Sequence, residues 1–201
     1  GGRKDRLKEK IEYSLIDNHS DMMKLYDDIR EVGGFAFKFS IDENDIIDFL
    51  YLSFNNKQFC IVVKDPLIPI LKSIFENESI FKAGHNLKED IMLLKTIDIN
   101  IKAIKFDSMI GAYLLNPSHY NYRLKDIYKE YLYGDILDYE DTKEDKHDRY
   151  SSSVAAIEEL IKPIEDKVVQ RGMDRLFHGI ELPLIEVLAD MEYNGFKIDI
   201  E

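Results

Sequence analysis

The segment Gly33-Gly34-Phe35-Ala36-Phe37-Lys38-Phe39-Ser40 decides how the first half of the chain folds. Its side chains alternate strictly after the glycines, with three phenylalanines on one face and Ala36, Lys38 and Ser40 on the other. A period of two residues is that of a β-strand. The sequence therefore predicts a strand with one aromatic face and a second face that carries Lys38 and Ser40.

The residues before this strand predict a helix. Ser20 can cap its N-terminus, and Met22, Tyr26 and Ile29 form its apolar face. Gly33-Gly34 is expected to end it. After the strand, two further strand patterns at 46–54 and 58–63 flank Asn55-Asn56-Lys57, a hairpin-type turn. The sheet should therefore begin with antiparallel neighbours.

After Pro66 the pattern alternates between helix and strand. Helices are predicted at 69–77, 87–96, 108–115 and 124–133, and strands at 80–83 and 101–106. Asn86 can cap the helix 87–96. A mixed sheet with helices on its faces is the expected α/β class.

The last third predicts one loop and two helices. Seven of the fourteen residues from 135 to 148 are acidic, which indicates a solvated loop. A long amphipathic helix is predicted at 151–169, with Pro163 as a kink. The final helix is predicted at 173–193, with Pro183 inside it and Asn194-Gly195 as its C-terminal cap.

Composition sets limits on function. The 201 residues include 27 Lys or Arg and 39 Asp or Glu, for a formal charge of −12. Such a balance argues against a sequence-independent grip on nucleic acid by a basic face. No apolar run approaches the roughly 20 residues of a membrane span, and no signal peptide is visible. The single Cys60 cannot form an internal disulfide or a zinc cluster, which suits a reducing cytoplasm.

Asp90 is the most informative polar residue of the alternating region. It shares a helical face with Leu87, Ile91 and Leu94, so its carboxylate should point toward the sheet. The alternative is that Asp90 only favours the positive end of a helix dipole. Asp107 precedes a helix and is expected to be a cap. The histidines His85, His119, His147 and His178 lack metal-ligand spacing, so solvent or core roles are expected.

Three segments resemble the 3′–5′ exonuclease-like domain of bacterial family A DNA polymerases. Gly84-His85-Asn86-Leu87-Lys88-Glu89-Asp90 is similar to the second exonuclease motif, and residues 106–117 are similar to the segment that follows it. Residues 181–199 resemble the stretch in which the exonuclease-like domain passes into the polymerase domain. The matches occur in the family's order and cover about 13–201.

The resemblance implies a ribonuclease H-like 3′–5′ exonuclease fold. Its mixed central sheet is flanked by helices, and a C-terminal helix leads into a missing polymerase domain. Residues 1–2 are typical of a cloning scar. We expect the exonuclease-like domain at 3–172 and the start of the polymerase domain at 173–201.

The resemblance also implies a metal site, and this sequence departs from it. Active members hold two divalent metals, about 4 Å apart, with four carboxylates. Lys38 and Ser40 occupy the positions of the Asp-x-Glu pair, and Val154 stands where the late Tyr-x-x-x-Asp motif needs its acid. Tyr150 of that motif and Asp90 of the second motif are retained.

We therefore predict that a contact between Lys38 and Asp90 replaces metal coordination. No catalytic residue, cofactor or metal is expected in this fragment, although Asp90 is the one retained ligand position. An alternative is that Glu158, one turn from Val154, and Asp42, two residues beyond Ser40, rebuild a site.

The sequence is interpreted as a fragment of a bacterial, cytoplasmic DNA polymerase of replication and repair. Its expected role is structural, without polymerase or exonuclease activity. Mg²⁺ is expected for the missing polymerase domain. DNA would be bound through the full-length enzyme, with weak or no binding by the fragment and no membrane partner. The alternatives are an active exonuclease with unusual ligands and a domain that binds single-stranded 3′ ends without cutting.

Overall fold

The computed structural model describes residues 6–118 and 121–198, and it contains a six-stranded mixed sheet. The strand order is β1-β4-β3-β2-β5-β6. The strands are β1 (Ser14–Ile16), β2 (Gly34–Ile41), β3 (Ile47–Phe54), β4 (Lys57–Val62), β5 (Phe81–Gly84) and β6 (Ile104–Asp107). β2 pairs with β3 antiparallel and with β5 parallel, as a mixed α/β sheet requires.

The helices cover both faces of this sheet. They are α1 (His19–Val32), α2 (Ile68–Phe75), α3 (Leu87–Thr96), α4 (Ser108–Leu115), α5 (Leu124–Leu132), α6 (Lys146–Gln170), α7 (Asp174–Leu176) and α8 (Leu182–Ile198). In the described ranges, no helix combines the length and the apolar character that crossing a membrane requires.

The predicted alternation of β2 is confirmed, but both of its faces are buried. Phe35, Phe37 and Phe39 pack around Phe75 of α2, with ring centroids 5.0–5.6 Å from the Phe75 centroid. Lys38 and the other polar residue of the strand lie on the opposite face, beneath α6. A charged side chain therefore lies inside the domain.

The predicted turns at Gly33 and at Asn55-Asn56 are also confirmed. Gly33 ends α1 with φ +87°, a conformation that glycine adopts without a steric cost. Asn55 and Asn56 form the two-residue turn between β3 and β4 with φ of 51° and 57°. Asparagine is one of the residues that tolerate such values in hairpin turns.

Two predicted helix caps are wrong. The side chain of Asn18, and not that of Ser20, accepts the backbone N–H of Asp21 at the start of α1. Asn86 precedes α3 with φ 54°, but its side chain makes no capping bond. The carboxylate of Asp107 accepts the first N–H groups of α3 instead, because the end of β6 lies beside that helix.

The solvated-loop prediction for 135–148 is wrong for its first half. Ile136, Asp138 and Tyr139 are buried. The hydroxyls of Ser152 and Ser153 on α6 accept the N–H groups of residues 137 and 139, which holds this segment against the domain. α6 begins at Lys146, five residues before the predicted start, because Asp145 caps it.

The C-terminal helix continues beyond its predicted end. A π-helical turn at Phe177–Glu181 joins α7 to α8, and Pro183 follows directly in the first turn of α8. Asn194 and Gly195 lie inside α8 and do not cap it. The helix packs along α3, where Lys88 pairs with Glu192 at 2.9 Å, and this docking offsets the roughly 1 kcal/mol that a helical glycine costs.

Candidate functional site

A buried ion pair lies at the carboxyl end of β2. The Lys38 Nζ atom is 2.8 Å from Asp90 Oδ2 of α3, and the two residues are 3% and 0% exposed. The second carboxylate oxygen, Asp90 Oδ1, accepts the backbone N–H of Phe39 at 2.9 Å. The predicted contact between Lys38 and Asp90 is therefore confirmed, and Asp90 points at the sheet.

The remaining surroundings of Lys38 also favour a cation. Its ammonium donates to the carbonyl of His85 at 3.1 Å and lies 4.7 Å from the centroid of the Tyr139 ring. The carboxylate of Glu89 is 3.8 Å away. Burial by itself lowers the pKa of Lys38, but the attraction of Asp90 outweighs it and raises this pKa, so Lys38 stays charged.

The position of Asp90 depends on how α3 is anchored. Asp107, at the end of β6, accepts the N–H groups of Asn86 and Leu87 at the start of α3 and those of Met109 and Ile110 in α4. Its predicted role as a cap of the following helix is confirmed, and it caps a second helix as well. A single buried carboxylate thus holds both helix N-termini at the sheet edge.

Ser40 does not meet Asp90 in the structure. Its hydroxyl donates to Asp48 Oδ1 at 2.5 Å, and Lys146 of α6 reaches Asp48 Oδ2 at 2.5 Å. Lys146 also donates to the carbonyl of Ile41 at 2.8 Å. Ser40, which the resemblance places at the second position of the Asp-x-Glu pair, is therefore hydrogen-bonded into a network that joins β2, β3 and α6.

Tyr150 and Val154 lie in an aromatic layer on the same sheet face. The Tyr150 ring stacks on Tyr51, with 4.8 Å between centroids, and lies 5.7 Å from the Tyr139 ring. Val154 packs against Tyr51 and Cys60 and is fully buried. Burial raises the pKa of the Tyr150 hydroxyl. The two late-motif positions thus contribute packing to the space beside Lys38, which pairs in register with Tyr51.

The two residues considered as replacement ligands point elsewhere. Glu158 accepts hydrogen bonds from the hydroxyl of Ser53 and from the N–H of Asn56 at the β3–β4 turn. Asp42 Oδ1 accepts the N–H groups of Asn44 and Ile46 within its own loop. The structure therefore does not bring Glu158 or Asp42 to Asp90, and the alternative of a rebuilt site is wrong.

The histidines have separate surroundings, as predicted. His85 Nδ1 lies 2.8 Å from the Ser108 hydroxyl, and burial lowers the His85 pKa to about 3, with a further contribution from Lys38. His147 Nδ1 contacts the Tyr51 hydroxyl at 2.9 Å, and His178 pairs with Glu165 at 3.0 Å. The prediction for His119 lies outside the described residues.

The residues around Asp90 do not fit a pair of divalent cations. Hard cations need several anionic oxygens, whereas the ammonium of Lys38 is already bound to Asp90 and would repel them. Across 6–118 and 121–198, no group of three or more His, Cys, Asp or Glu is placed to hold a metal ion. The site offers the Asp90 carboxylate, whose charge Lys38 already neutralises, and it does not offer the several anionic oxygens that two divalent cations need.

Sequence reasoning missed two partners of this site, Asp48 and Tyr139. Asp48 lies on β3 and faces Ser40, a contact that follows only from the strand register. Tyr139 covers Lys38 from a segment whose acidic composition predicts exposure. The polar residues at 38 and 40, on one face of an otherwise apolar strand, were the signal that Ser40 needs a partner, and no local pattern indicates the contact of Tyr139.

Comparison with known proteins identifies the family. The model of the family described as "DNA polymerase I, ribonuclease H-like domain" matches residues 42–142. The chain belongs to this family. The matched range contains Asp90 but stops short of the strand with Lys38 and Ser40 and of the helix with Tyr150 and Val154.

DNA polymerase I sequences from several bacteria are similar to this exonuclease-like domain. The enzyme of Borreliella burgdorferi is 28% identical over 206 residues, a match that covers 96% of this chain and 22% of that polymerase. The enzyme of Caldicellulosiruptor bescii is 26% identical, with the same two coverages. The chain thus spans about a fifth of the length of these relatives.

Solved structures support the ribonuclease H-like fold. RNase D of Escherichia coli, an exoribonuclease involved in structured RNA processing, superposes with a TM-score of 0.76 at 15% identity, over 89% of this chain and 51% of RNase D. The POL domain of Pol1 from M. smegmatis, in complex with DNA primer-template and dNTP, gives 0.76 at 16% identity, over 89% of this chain and 31% of that chain. At these identities the likeness concerns the fold.

Proposed function

We propose that this domain is a non-catalytic member of its family, which serves as a structural platform in a DNA polymerase of replication and repair. The observation that carries the proposal is the buried pair of Lys38 and Asp90, 2.8 Å apart. In this pair the Lys38 ammonium binds the Asp90 carboxylate, the retained ligand position, where the resemblance implies a metal ion. The carboxylate is therefore unavailable to a metal without breaking the pair.

Breaking the pair to admit a metal is energetically unfavourable. A buried cation that loses its partner costs several kcal/mol. Tyr139 and Tyr150 pack beside the pair, so a nucleotide would also have to displace aromatic side chains. Both features oppose the binding of metal and of a 3′ end at this position.

The charge near the site also opposes a DNA strand. The loop after β2 carries Asp42, Glu43 and Asp45, and Asp48 follows at the start of β3. This region meets the acidic segment 140–148 through the contact of Lys146 with Asp48. Phosphates are attracted by basic surfaces and repelled by acidic ones. We therefore propose weak or no DNA binding by this domain alone, and DNA binding by the complete polymerase, whose own site would use Mg²⁺.

In the proposed platform role, the first part of the chain supports the second. The exonuclease-like part, 3–172, contains the sheet and α1 to α6, and the start of the polymerase part, 173–201, contains α8. Residues 1–2 are treated as a cloning scar. Because α8 is held on α3 by ion pairs such as Lys88 with Glu192, the domain would present α8 in a defined orientation.

The experiment is a nuclease assay of the purified chain. A 5′-labelled single-stranded DNA is incubated with Mg²⁺ or Mn²⁺, and we expect no loss of 3′ nucleotides. Asp90→Ala is assayed in parallel and should be equally inactive, with circular dichroism as the check that this less stable variant is folded under the assay conditions. Metal-dependent degradation that Asp90→Ala abolishes would overturn the proposal.

Two binding measurements complete the test. We expect a Mn²⁺ titration, followed by crystallography of the soaked protein, to leave the Lys38–Asp90 contact intact. Metal bound to Asp90 would contradict the proposal. A salt-dependent titration of the chain with single-stranded DNA should show little affinity, and tight binding without cleavage would favour a 3′-end binding domain instead.

A further inference from the structure

A cavity of about 430 Å³ opens between the sheet and α6, at the amino ends of β2 and β5. Its lining includes Gly34 and Phe81, the residues with which these two strands begin. Lys38 and Asp90 meet at the other end of β2. Pockets for small molecules have volumes of roughly 300–1,000 Å³. The cavity is therefore distinct from the ion pair and has the size of a ligand pocket.

The floor of the cavity consists of small side chains. Ala36 pairs in register with Ala83 of β5 and with Ser53 of β3, and Gly34 lies two residues earlier on the same face of β2. The opposite face of β2 is filled by its three phenylalanines, which pack around Phe75. Protein interiors are otherwise close-packed. The small side chains therefore leave a space beneath α6 that the other face of the sheet does not have.

The walls of the cavity are apolar, and acids stand beside it. Val32 and Phe81 border the cavity and are exposed, and Ile161 faces it from α6. Glu158 and Glu165 lie before and after Ile161 on α6, separated by about 10.5 Å of helix. An apolar interior with a small number of polar groups is typical of a ligand pocket.

The balance of charge favours a cation in this cavity. Two bases also border it, Lys82 and Lys105. The amine of Lys82 donates to the carbonyl of Asn77 at 2.7 Å, and the ammonium of Lys105 lies 5.3 Å from the centroid of the Phe81 ring. Two carboxylates thus face one ammonium that remains at the rim. The formal charge of −12 on the whole chain adds to the attraction for cations.

Glu165 is the carboxylate with the most freedom to bind a ligand. Glu158 accepts the hydroxyl of Ser53 and the N–H of Asn56, which ties it to the β3–β4 turn. Glu165 contacts His178 at 3.0 Å, and its side chain is 25% exposed. A carboxylate has about four acceptor positions, so Glu165 can accept from an ammonium at the solvent rim as well.

We infer that this cavity binds a small organic cation, a primary amine that carries an apolar aryl or alkyl body. The body lies on the small side chains of Ala36 and Ala83, and the ammonium pairs with Glu165 at the rim. Such a ligand buries its apolar surface while its charge stays near water. The inference does not depend on the proposed function, because it involves neither Lys38 nor Asp90.

The experiment uses three probes with the same body. 3-Phenylpropylamine is a cation at neutral pH, 3-phenylpropanol is neutral and 3-phenylpropionate is an anion. Each is titrated into the chain with ¹³C-labelled alanine methyl groups and followed by NMR. The amine should shift the methyl signals of Ala36 and Ala83, and it should leave that of Ala189 on α8 unchanged. Its affinity should exceed that of the alcohol about fivefold, as a partly exposed ion pair provides.

Two variants and a control locate the contacts. Glu165→Gln should weaken binding of the amine about fivefold and leave binding of the alcohol unchanged. Asp166→Asn is the matched control, because Asp166 follows on α6 but is exposed and pairs with Lys162. Ala83→Leu enlarges a side chain of the floor and should remove the shift at Ala36, with circular dichroism as the check of folding.

Several results would overturn the inference. They are no saturable shift at Ala36 and Ala83, equal affinity for amine and alcohol, tighter binding of the anion, or amine binding that Glu165→Gln leaves unchanged. Shifts that follow protein concentration without any probe, together with a dimer in sedimentation, would assign the cavity to a second copy of the chain. If Ala83→Leu does not fold, the probe comparison and Glu165→Gln still decide.

Discussion

Among the described residues, two buried lysines lie in neighbouring strands, and their surroundings differ. Lys38 of β2 meets the carboxylate of Asp90 at 2.8 Å, and its pKa is raised. Lys82 of β5 donates to the carbonyl of Asn77 at 2.7 Å, and burial lowers its pKa to about 8. No ion pair is found for Lys82 among the described side chains.

The comparison shows that burial alone does not determine whether a lysine stays charged. Both amines are removed from water, which disfavours the ammonium form. Only Lys38 has a carboxylate that restores the charged form, and we propose that this carboxylate, Asp90, stands at a metal-ligand position that the chain has retained. The buried charge at the site is therefore a property of the pair.

The largest expected effect comes from separating the pair. Asp90→Ala leaves the Lys38 ammonium buried without its partner, and we expect a loss of about 3–5 kcal/mol in the free energy of unfolding. The measurement is urea unfolding followed by circular dichroism. A loss below about 1 kcal/mol, the average for any substitution, would contradict the account.

A double variant serves as the control for that experiment. Asp90→Ala with Lys38→Met removes both charges, and replacement of a buried ion pair by apolar side chains is often neutral. Most of the stability lost in Asp90→Ala should therefore return. A double variant as unstable as the single one would show that the cost comes from the cavity at residue 90 and not from the unpaired cation.

The next effect concerns Lys82 and is visible in alkaline solution. Its folded pKa of about 8 lies below the value of about 10.4 for an unfolded lysine. At residue 82 the unfolded chain therefore binds more protons between these values, so the contribution of Lys82 to stability should rise with pH there by up to about 1.4 kcal/mol per unit. Burial raises the pKa of the Cys60 thiol to about 12, which gives an opposite slope in every variant that keeps Cys60. The readout is therefore a difference: the free energy of unfolding of the unmodified chain should rise relative to that of Lys82→Met when urea unfolding of both is measured from pH 8 to 10.

Lys38 provides the contrast in the same pH range. Because its folded pKa is raised above the unfolded value, its contribution is complete below pH 10.4 and is lost only at higher pH. The double variant at residues 38 and 90 should therefore show the same pH dependence of stability as the unmodified chain between pH 8 and 10. If the double variant lost the contribution assigned to Lys82 while Lys82→Met kept the pH dependence of the unmodified chain, the assignments of the two lysines would be reversed.

The smallest effect is expected from the aromatic cover of Lys38. Tyr139→Leu removes a ring 4.7 Å from the ammonium and should cost about 1–2 kcal/mol, as a desolvated cation–π contact does. Tyr131→Leu is the matched substitution, because Lys167 lies 4.6 Å from that ring but is exposed. Equal losses of unfolding free energy in the two variants would argue that solvent exclusion at Lys38 contributes nothing.

The strand and the helix that meet at the site could be predicted from local patterns. Alternation at 35–40 gave β2 and the face of Lys38, and helical spacing gave the direction of Asp90. The contact between the two side chains was predicted through the family resemblance, which implies that residues 38 and 90 share one metal site. Only the family resemblance, however, gave the contact its functional meaning.

The features that sequence reasoning missed depend on distant partners. Tyr139 is buried because hydroxyls of Ser152 and Ser153 hold its segment, a relation that acidic composition conceals. The cap of α3 comes from Asp107, twenty residues along the chain from Leu87. α8 continues through Gly195 because packing on α3 outweighs a local stop signal.

The double cap made by Asp107 has a consequence for how the domain opens. One carboxylate accepts N–H groups at the start of α3 and of α4, so a movement of Asp107 away from the sheet removes the bonds to both first turns at once. Native-state hydrogen exchange should therefore show the amides of Leu87 and Met109 opening as one cooperative unit with a shared free energy. The Asp90 carboxylate, one turn further along α3, would be released in the same event.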